Sequence, residues 1–566
     1  MKKVILSALA LMVGSFVFAQ ASQDAAAPDV EQADNLSGDA AANRVENTQA
    51  GTENYMLVRQ EGTSSSVFID QSGGGAGADE GNLVYVAQAG DVTGNTGLSG
   101  QANAADVRQS GTSNEGYVYQ GGDRNAAGMQ QSGDDQIAYI QQGVLNAEDN
   151  YAGVVQSGDT HSSWIFQGHD NNEALSLQSG SGHASKIDQN SAPDGSPGHN
   201  ARVEQEGTGQ MSYVEQDGNN SDADVFQSGD GNYSAINQSG LGTNTADVDQ
   251  VGVFGQNKSF IVSAGSNQNA TVSQINNFGL LGDNISDIIQ NGLSENNATV
   301  LQDGPSSSEN YANIQQTNAT TGNATNNATV NQGNRPAFLG SALSGLYSQT
   351  NDILDTESLS PLSSSFGNIA FQSQVGAGNR AESHQFNNAF IINNEVNNAN
   401  TSKQIQTGDN NTALVVQNAF NNLNAIASQN HALQEQTGNN NSVSSIQVGL
   451  RNETWMQQNG DDSALAVQSG KENDLVTKQF EGANFMEIGQ SGDNGAVYAA
   501  QRGGQSFMGD QSGINNVMEI LQVGPAGNLL ETIDCEIPDP MEPMPIPEME
   551  NLMIPDITVP GLCADC

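Results

Sequence analysis

The chain offers few residues disposed for catalysis. Cys535, Cys563 and Cys566 all lie in the C-terminal tail. Cys563-Ala-Asp-Cys566 has the spacing of a redox or metal pair. With no second such pair and no nearby histidine, a structural disulfide between Cys563 and Cys566 in an oxidising compartment fits better, leaving Cys535 for an intermolecular link or a free thiol. Of six histidines, His161, His169, His183 and His199 crowd one stretch, while His384 and His431 stand apart. Their uneven spacing fits no zinc set and places them near turns, where they read as solvated residues. Turns such as Gly229-Asp230-Gly231-Asn232 have calcium-ligand composition but lack the regular repeat of calcium-binding β-rolls. Their acids read as solubilising gatekeepers between sticky strands. No G-x-S-x-G, H-E-x-x-H or phosphate loop is present. No catalytic, cofactor or metal site is expected, and a polysaccharide-cleaving β-helix has no motif to support it.

The chemistry that does recur is that of the carboxamide. Glutamines fall 11 residues apart at Gln109, Gln120 and Gln131, at Gln205, Gln216, Gln227 and Gln238, and at Gln468, Gln479, Gln490 and Gln501. The full unit reads Gln-x-Gly-x-x-Asn-x-Ala-x-x-x-Gln. It is complete at Gln120, Gly122, Asn125, Ala127 and Gln131. It is complete again at Gln374, Gly376, Asn379, Ala381 and Gln385, and at Gln406, Gly408, Asn411, Ala413 and Gln417. A near copy is Gln227, Gly229, Asn232, Ser234 and Gln238. A buried amide is costly unless bonded. Stacked over identical amides, its NH₂ can donate to the next side-chain carbonyl, forming a ladder.

These spacings define the elements that must hold the amides. Asn411, Ala413, Val415 and Gln417 occupy every second position and so share one face of a strand. Gly two residues after Gln marks a tight turn. Where the spacing stretches, as in Asn296, Ala298, Val300 and Gln302, the alternation survives, so added residues fall in turns. Two facing strands close a flat coil of about 22 residues, and coils stack at about 4.8 Å. The expected fold is all-β: an amyloid-like β-solenoid of about 20 coils, on the order of 100 Å long.

The composition agrees with a thin core. Hydrophobic residues make up 36% and charged residues 14%, too little oil for a large conventional interior. Residues 1–19 read as a secretory signal peptide, with Lys2 and Lys3 before an apolar run and Val17 and Ala19 at the cleavage site. Residues 20–50 read as an acidic flexible linker. Repeats fill 51–334 and 367–525, separated by a Ser/Leu-rich insertion at 335–366. A Pro/Met-rich tail at 526–566 cannot enter a ladder. Sixteen Lys and Arg stand against 64 Asp and Glu, a formal charge of −48. That balance disfavours nucleic acid and anionic lipid as partners.

The glutamine–asparagine unit resembles the curlin repeat of curli fibre subunits of Gram-negative bacteria, whose full repeat is similar in length to two of the 11-residue units. The resemblance covers roughly residues 51–525. It implies an extracellular functional amyloid that supports adhesion and biofilm structure, leaves through an outer-membrane export pore, and assembles with itself or related subunits. The chain departs from that family in its much greater length, its insertion and its tail. The alternative is a soluble, non-polymerising solenoid adhesin, capped by its flanks and presenting one face to a surface or glycan.

Overall fold

A computed structural model describes residues 43–74, 81–89, 101–143, 147–191, 197–240, 242–252, 256–276, 283–303, 310–318, 324–332, 367–386, 400–418 and 429–524. The signal peptide, residues 20–42 of the linker, the 335–366 insertion and the 526–566 tail with its three cysteines lie outside them.

The described residues form 36 strands, from β1 (Arg44–Gly51) to β36 (Val517–Val523), and no helix. Strands alternate between two sheets of 18 strands each. Each strand pairs in parallel with the next but one: Asp222–Asp230 lies between Asn200–Thr208 and Thr245–Gly252. The chain therefore winds as a two-sided β-solenoid, the expected fold. Eighteen strands per sheet at the inter-strand spacing give about 85 Å. That falls short of the length expected from 22 residues per coil, because many turns are longer than the minimum.

Register is set by side chains, not by chain length. Gln332 is aligned with Gln385, 53 residues further along the sequence. Every such insertion falls between strands, since a one-residue slip within a strand would turn the buried set outward.

The array also begins earlier than expected. Arg44–Gly51, in the stretch read as linker, is a strand paired with Ser66–Gly73, Gln49 opposite Gln71. The alternation Val45, Asn47, Gln49 is present there; acidic and polar neighbours obscured it.

The interior is narrow. Ala223, Val225 and Gln227 are at most 1% exposed in one sheet, and Ser234, Ile236 and Gln238 are 0% exposed in the other. Small and β-branched side chains suit this because they pack on a pleated face at short sheet-to-sheet distance. One apolar core runs from Val67 to Ala370, and a second from Ala413 to Ala499. Between them the interior is polar. Gln372, Gln404 and Gln434 occupy the position held by Ile314 in the preceding coil.

Glycine closes the turns where coils stack most tightly. Gly229 has φ +103°, and a Cβ there would lie 1.5 Å from the Gly252 carbonyl oxygen. Only glycine combines that conformation with that approach.

Candidate functional site: stacked amide columns

Two glutamine columns run along the interior. In the first sheet the Nε2 of each glutamine donates to the Oε1 of the next, without interruption from Gln49 to Gln511, at 2.7–3.1 Å. Gln131, Gln227, Gln385 and Gln417 belong here. In the second sheet the column runs from Gln60 to Gln238 at 2.8–2.9 Å. It resumes from Gln290 to Gln522 at 2.6–3.0 Å. Gln120, Gln238, Gln374 and Gln406 belong to it. All eight are at most 1% exposed.

The second amide proton has a different task. Gln227 also donates to the Met211 carbonyl at 3.1 Å, Gln406 to that of Arg380 at 2.9 Å, and Gln120 to that of Ala104 at 2.8 Å. Each acceptor lies on the opposite sheet. One NH₂ thus ties a coil to its successor and ties the two sheets together, and a fully bonded buried amide is the arrangement that avoids the desolvation cost.

One step is missing. Ser263 stands in register between Gln238 and Gln290. There Gln238 donates to the Asp222 carbonyl at 3.0 Å, while Ser263 Oγ donates to Gln290 Oε1 at 3.3 Å.

The asparagines keep the expected amide-on-amide bond in part, as from Asn150 to Asn125 and from Asn441 to Asn411 at 3.0 Å, and add bonds to the turns. Asn411 Nδ2 donates to the Gly438 carbonyl at 2.9 Å and Asn379 Nδ2 to that of Gly408 at 2.8 Å. Asn232 Nδ2 donates to the Ser228 carbonyl at 2.9 Å and Asn125 Nδ2 to that of Gly121 at 2.7 Å. The Oδ1 accepts the main-chain N–H of its counterpart in the next coil: Asn379 from Asn411, Asn411 from Asn441, Asn125 from Asn150. Asparagine here clamps the turns. Its shorter side chain reaches the turn carbonyls, whereas glutamine spans the interior. Direct asparagine-to-asparagine bonds also occur, as from Asn257 to Asn232 at 3.0 Å.

The structure corrects the reading of five of the six histidines as solvated; His169 is only half-buried. His161, His183 and His199 are at most 1% exposed, His431 is 5% and His384 8%. The first three sit five residues after a glutamine or at the aligned position, where asparagine stands in other coils. Imidazole replaces the amide because its two ring nitrogens offer one acceptor and one donor at similar reach. The same spacing was visible in the sequence for His161 and His183. Asp462 likewise takes an asparagine place, accepting from Asn484 N–H at 3.0 Å and Asn484 Nδ2 at 2.8 Å. Burial raises its carboxyl above the ordinary range. A third, short glutamine column joins Gln372 to Gln404 and Gln404 to Gln434 at 2.8 and 3.0 Å. It went unseen because its members lie two residues from the repeating glutamine.

The outer faces also stack like on like. Tyr85, Tyr119, Tyr139 and Phe166 form a row of tilted rings with centroids 5.2–5.4 Å apart. Tyr117, Trp164 and Trp455 are at most 8% exposed, so they pack against neighbours. Cations pair with carboxylates two residues away on the same face, as Arg202 with Glu204 at 2.6 Å and Arg108 with Asp106 at 2.7 Å. Among the described residues no group of three or more His, Cys, Asp or Glu is arranged to hold a metal. No helix there is long and apolar enough to cross a membrane.

No curated protein matches the chain. The model of the curlin associated repeat matches residues 100–133 and 218–252. Both stretches lie in the solenoid, and each contains a glutamine–glycine–asparagine step whose side chains are placed as described above. This chain, an all-β solenoid of in-register amide columns, carries curlin associated repeats.

Proposed function

We propose that the protein is a structural component of extracellular curli-like fibres, built by end-to-end association of solenoids and supporting adhesion and biofilm matrix. Its partners on this reading are copies of itself or related subunits, reached after export through an outer-membrane pore. The observation that carries the reading is the state of the last described coil, Ser506–Val523. Phe507, Met518 and Ile520 point inward there but are only partly buried, whereas Ile488 and Val497 in the preceding coil are 0% exposed. Parallel strands that end in a half-covered core and a row of main-chain donors and acceptors favour pairing with another chain.

The polarity of the columns supports the same reading. Every glutamine bond runs from Nε2 in one coil to Oε1 in the next, so the last coil offers amide donors and the first offers acceptors. A second copy stacked head to tail continues both columns. Purified mature protein is expected to form thioflavin-binding fibres with a cross-β diffraction pattern. Persistence as monomer for days at high concentration overturns the reading. If deletion of residues 531–566 then switches assembly on, the capped, surface-binding adhesin takes its place.

A further inference from the structure

We propose that His161, His183 and His199 form an acid-operated joint in the rod, whose charging opens the coils between about residues 157 and 221 while the amide-clamped coils on either side hold. Such a joint would act in a single rod, whether or not rods polymerise.

The geometry fixes these rings as neutral. His161 and His183 stack face to face, centroids 4.9 Å apart and planes 4° from parallel. His183 Nδ1 accepts the main-chain N–H of Gln210 at 3.2 Å, His161 Nδ1 that of His183 at 3.4 Å, and His199 Nδ1 that of Ser221 at 3.1 Å. The opposite nitrogens of the first two meet carbonyl oxygens, Ser157 at 3.1 Å and Ser179 at 2.9 Å. A carbonyl only accepts, so Nε2 carries the proton and Nδ1 must offer a lone pair. Protonating Nδ1 sets N–H against N–H at the clamp between coils and places charge in a site that is at most 1% exposed. Two charged rings in face-to-face contact add mutual repulsion. Asparagine in the same place cannot acquire a proton, so neighbouring clamps are indifferent to acid.

The surrounding charges are few. His161 is approached by Asp159 of its own turn, with Asp134 in register in the preceding coil. His183 faces His161; Asp159 is in register with Ser181 on one side of its turn and Glu206 with Ser179 on the other. His199 is approached by Asp217, and its carbonyl accepts the Glu173 N–H. Their attraction is outweighed: burial, the largest influence, holds all three imidazoles below the ordinary value, His183 at about 4. A depressed histidine pKa means the opened state binds protons first. Stability of these coils is therefore lost progressively as pH falls below about 6.5, and the loss levels off beneath the folded value.

The test is amide hydrogen exchange on the mature chain in dilute solution at pH 7 and pH 4, corrected for intrinsic rates. Protection at residues 157–221 is expected to fall about a hundredfold relative to the asparagine-clamped residues 109–131, the size set by a shift from about 6.5 to about 4. In the triple variant H161N/H183N/H199N the fall should vanish, since every carboxylate is retained. A gain-of-function variant guards against a triple variant that misfolds. Asn473 Nδ2 donates to the Ser469 carbonyl and its Oδ1 accepts the Gly495 N–H, the pattern His161 uses. Asn473→His should create a second acid-sensitive stretch near residues 469–495. Equal protection at the two pH values in the natural chain overturns the proposal, as does a fall that survives in the triple variant or an acid-indifferent Asn473→His.

Discussion

A single buried carboxamide in this rod answers for several partners at once. Gln227 receives from Gln205, donates to Gln250 and braces the Met211 carbonyl. Gln227→Ala is expected to destabilise by about 1–3 kcal/mol, the usual penalty for leaving buried polar groups unpaired, readable as a lower denaturation midpoint. Gln522→Ala, at the exposed last coil, should cost much less. Asp287 gives a prediction of the opposite sign. It is 7% exposed and accepts from Asn313 Nδ2 at 2.8 Å. Burial outweighs that hydrogen bond and pushes its pKa to about 6. Because the folded value lies above the unfolded one, the group's stabilising share is full below about 3.8 and is lost as pH rises through about 6. Asp287→Asn should therefore raise stability at pH 7 by about 1–3 kcal/mol and change little below pH 4. Equal gains at both pH values would sink the explanation.

At the scale of the element, a strand here is specified by its inward set and its closing glycine. Gly229→Ala forces a Cβ toward the Gly252 carbonyl oxygen, 1.5 Å away before relaxation. The coil must shift, and we expect a loss of at least about 1–3 kcal/mol with a locally strained turn, seen as reduced exchange protection at Asp222–Asp230 and Thr245–Gly252. The short column of Gln372, Gln404 and Gln434 makes a paired prediction. Gln404→Ile alone breaks two amide bonds and should destabilise. Isoleucine at all three positions removes the amide partners of one another together, leaving only the Thr329, Glu382 and Leu414 carbonyls without these donors, so it should cost less per site than the single change. A triple variant worse than three times the single one would sink this expectation. The glutamine columns were legible as strand positions from the 11-residue period alone. This third column was not, since three amides separated by 32 and 30 residues declare a common position only once the coils are stacked.

Over the whole molecule, parallel register puts equal residues beside one another, and that includes charge. Asp224 lies in register with Asp247. Burial raises the carboxyls of Glu204, Asp222 and Asp224 above their ordinary range, and like-charged neighbours add to it at Glu204 and Asp222. A chain with a formal charge of −48 repels its copies at low ionic strength. Assembly, followed by thioflavin fluorescence, should speed up by about an order of magnitude or more between 10 and 150 mM salt, where the Debye length contracts from about 30 to 8 Å. A rate unchanged by salt would mean that the acidic faces stay apart in the fibre.

The strand period, the inward set of Asn, Ala, Val and Gln, and the placing of extra residues in turns are written in the order of the residues alone. These depend on local alternation and turn chemistry, which each 11-residue unit carries whole. Stacking decided the rest. Whether an amide bonds its neighbour or a turn carbonyl, whether His161 faces water or a main-chain N–H, and where the solenoid begins depend on which residue of another coil lies 4.8 Å away. That neighbour is set by the register of the assembled sheets, which no single coil contains.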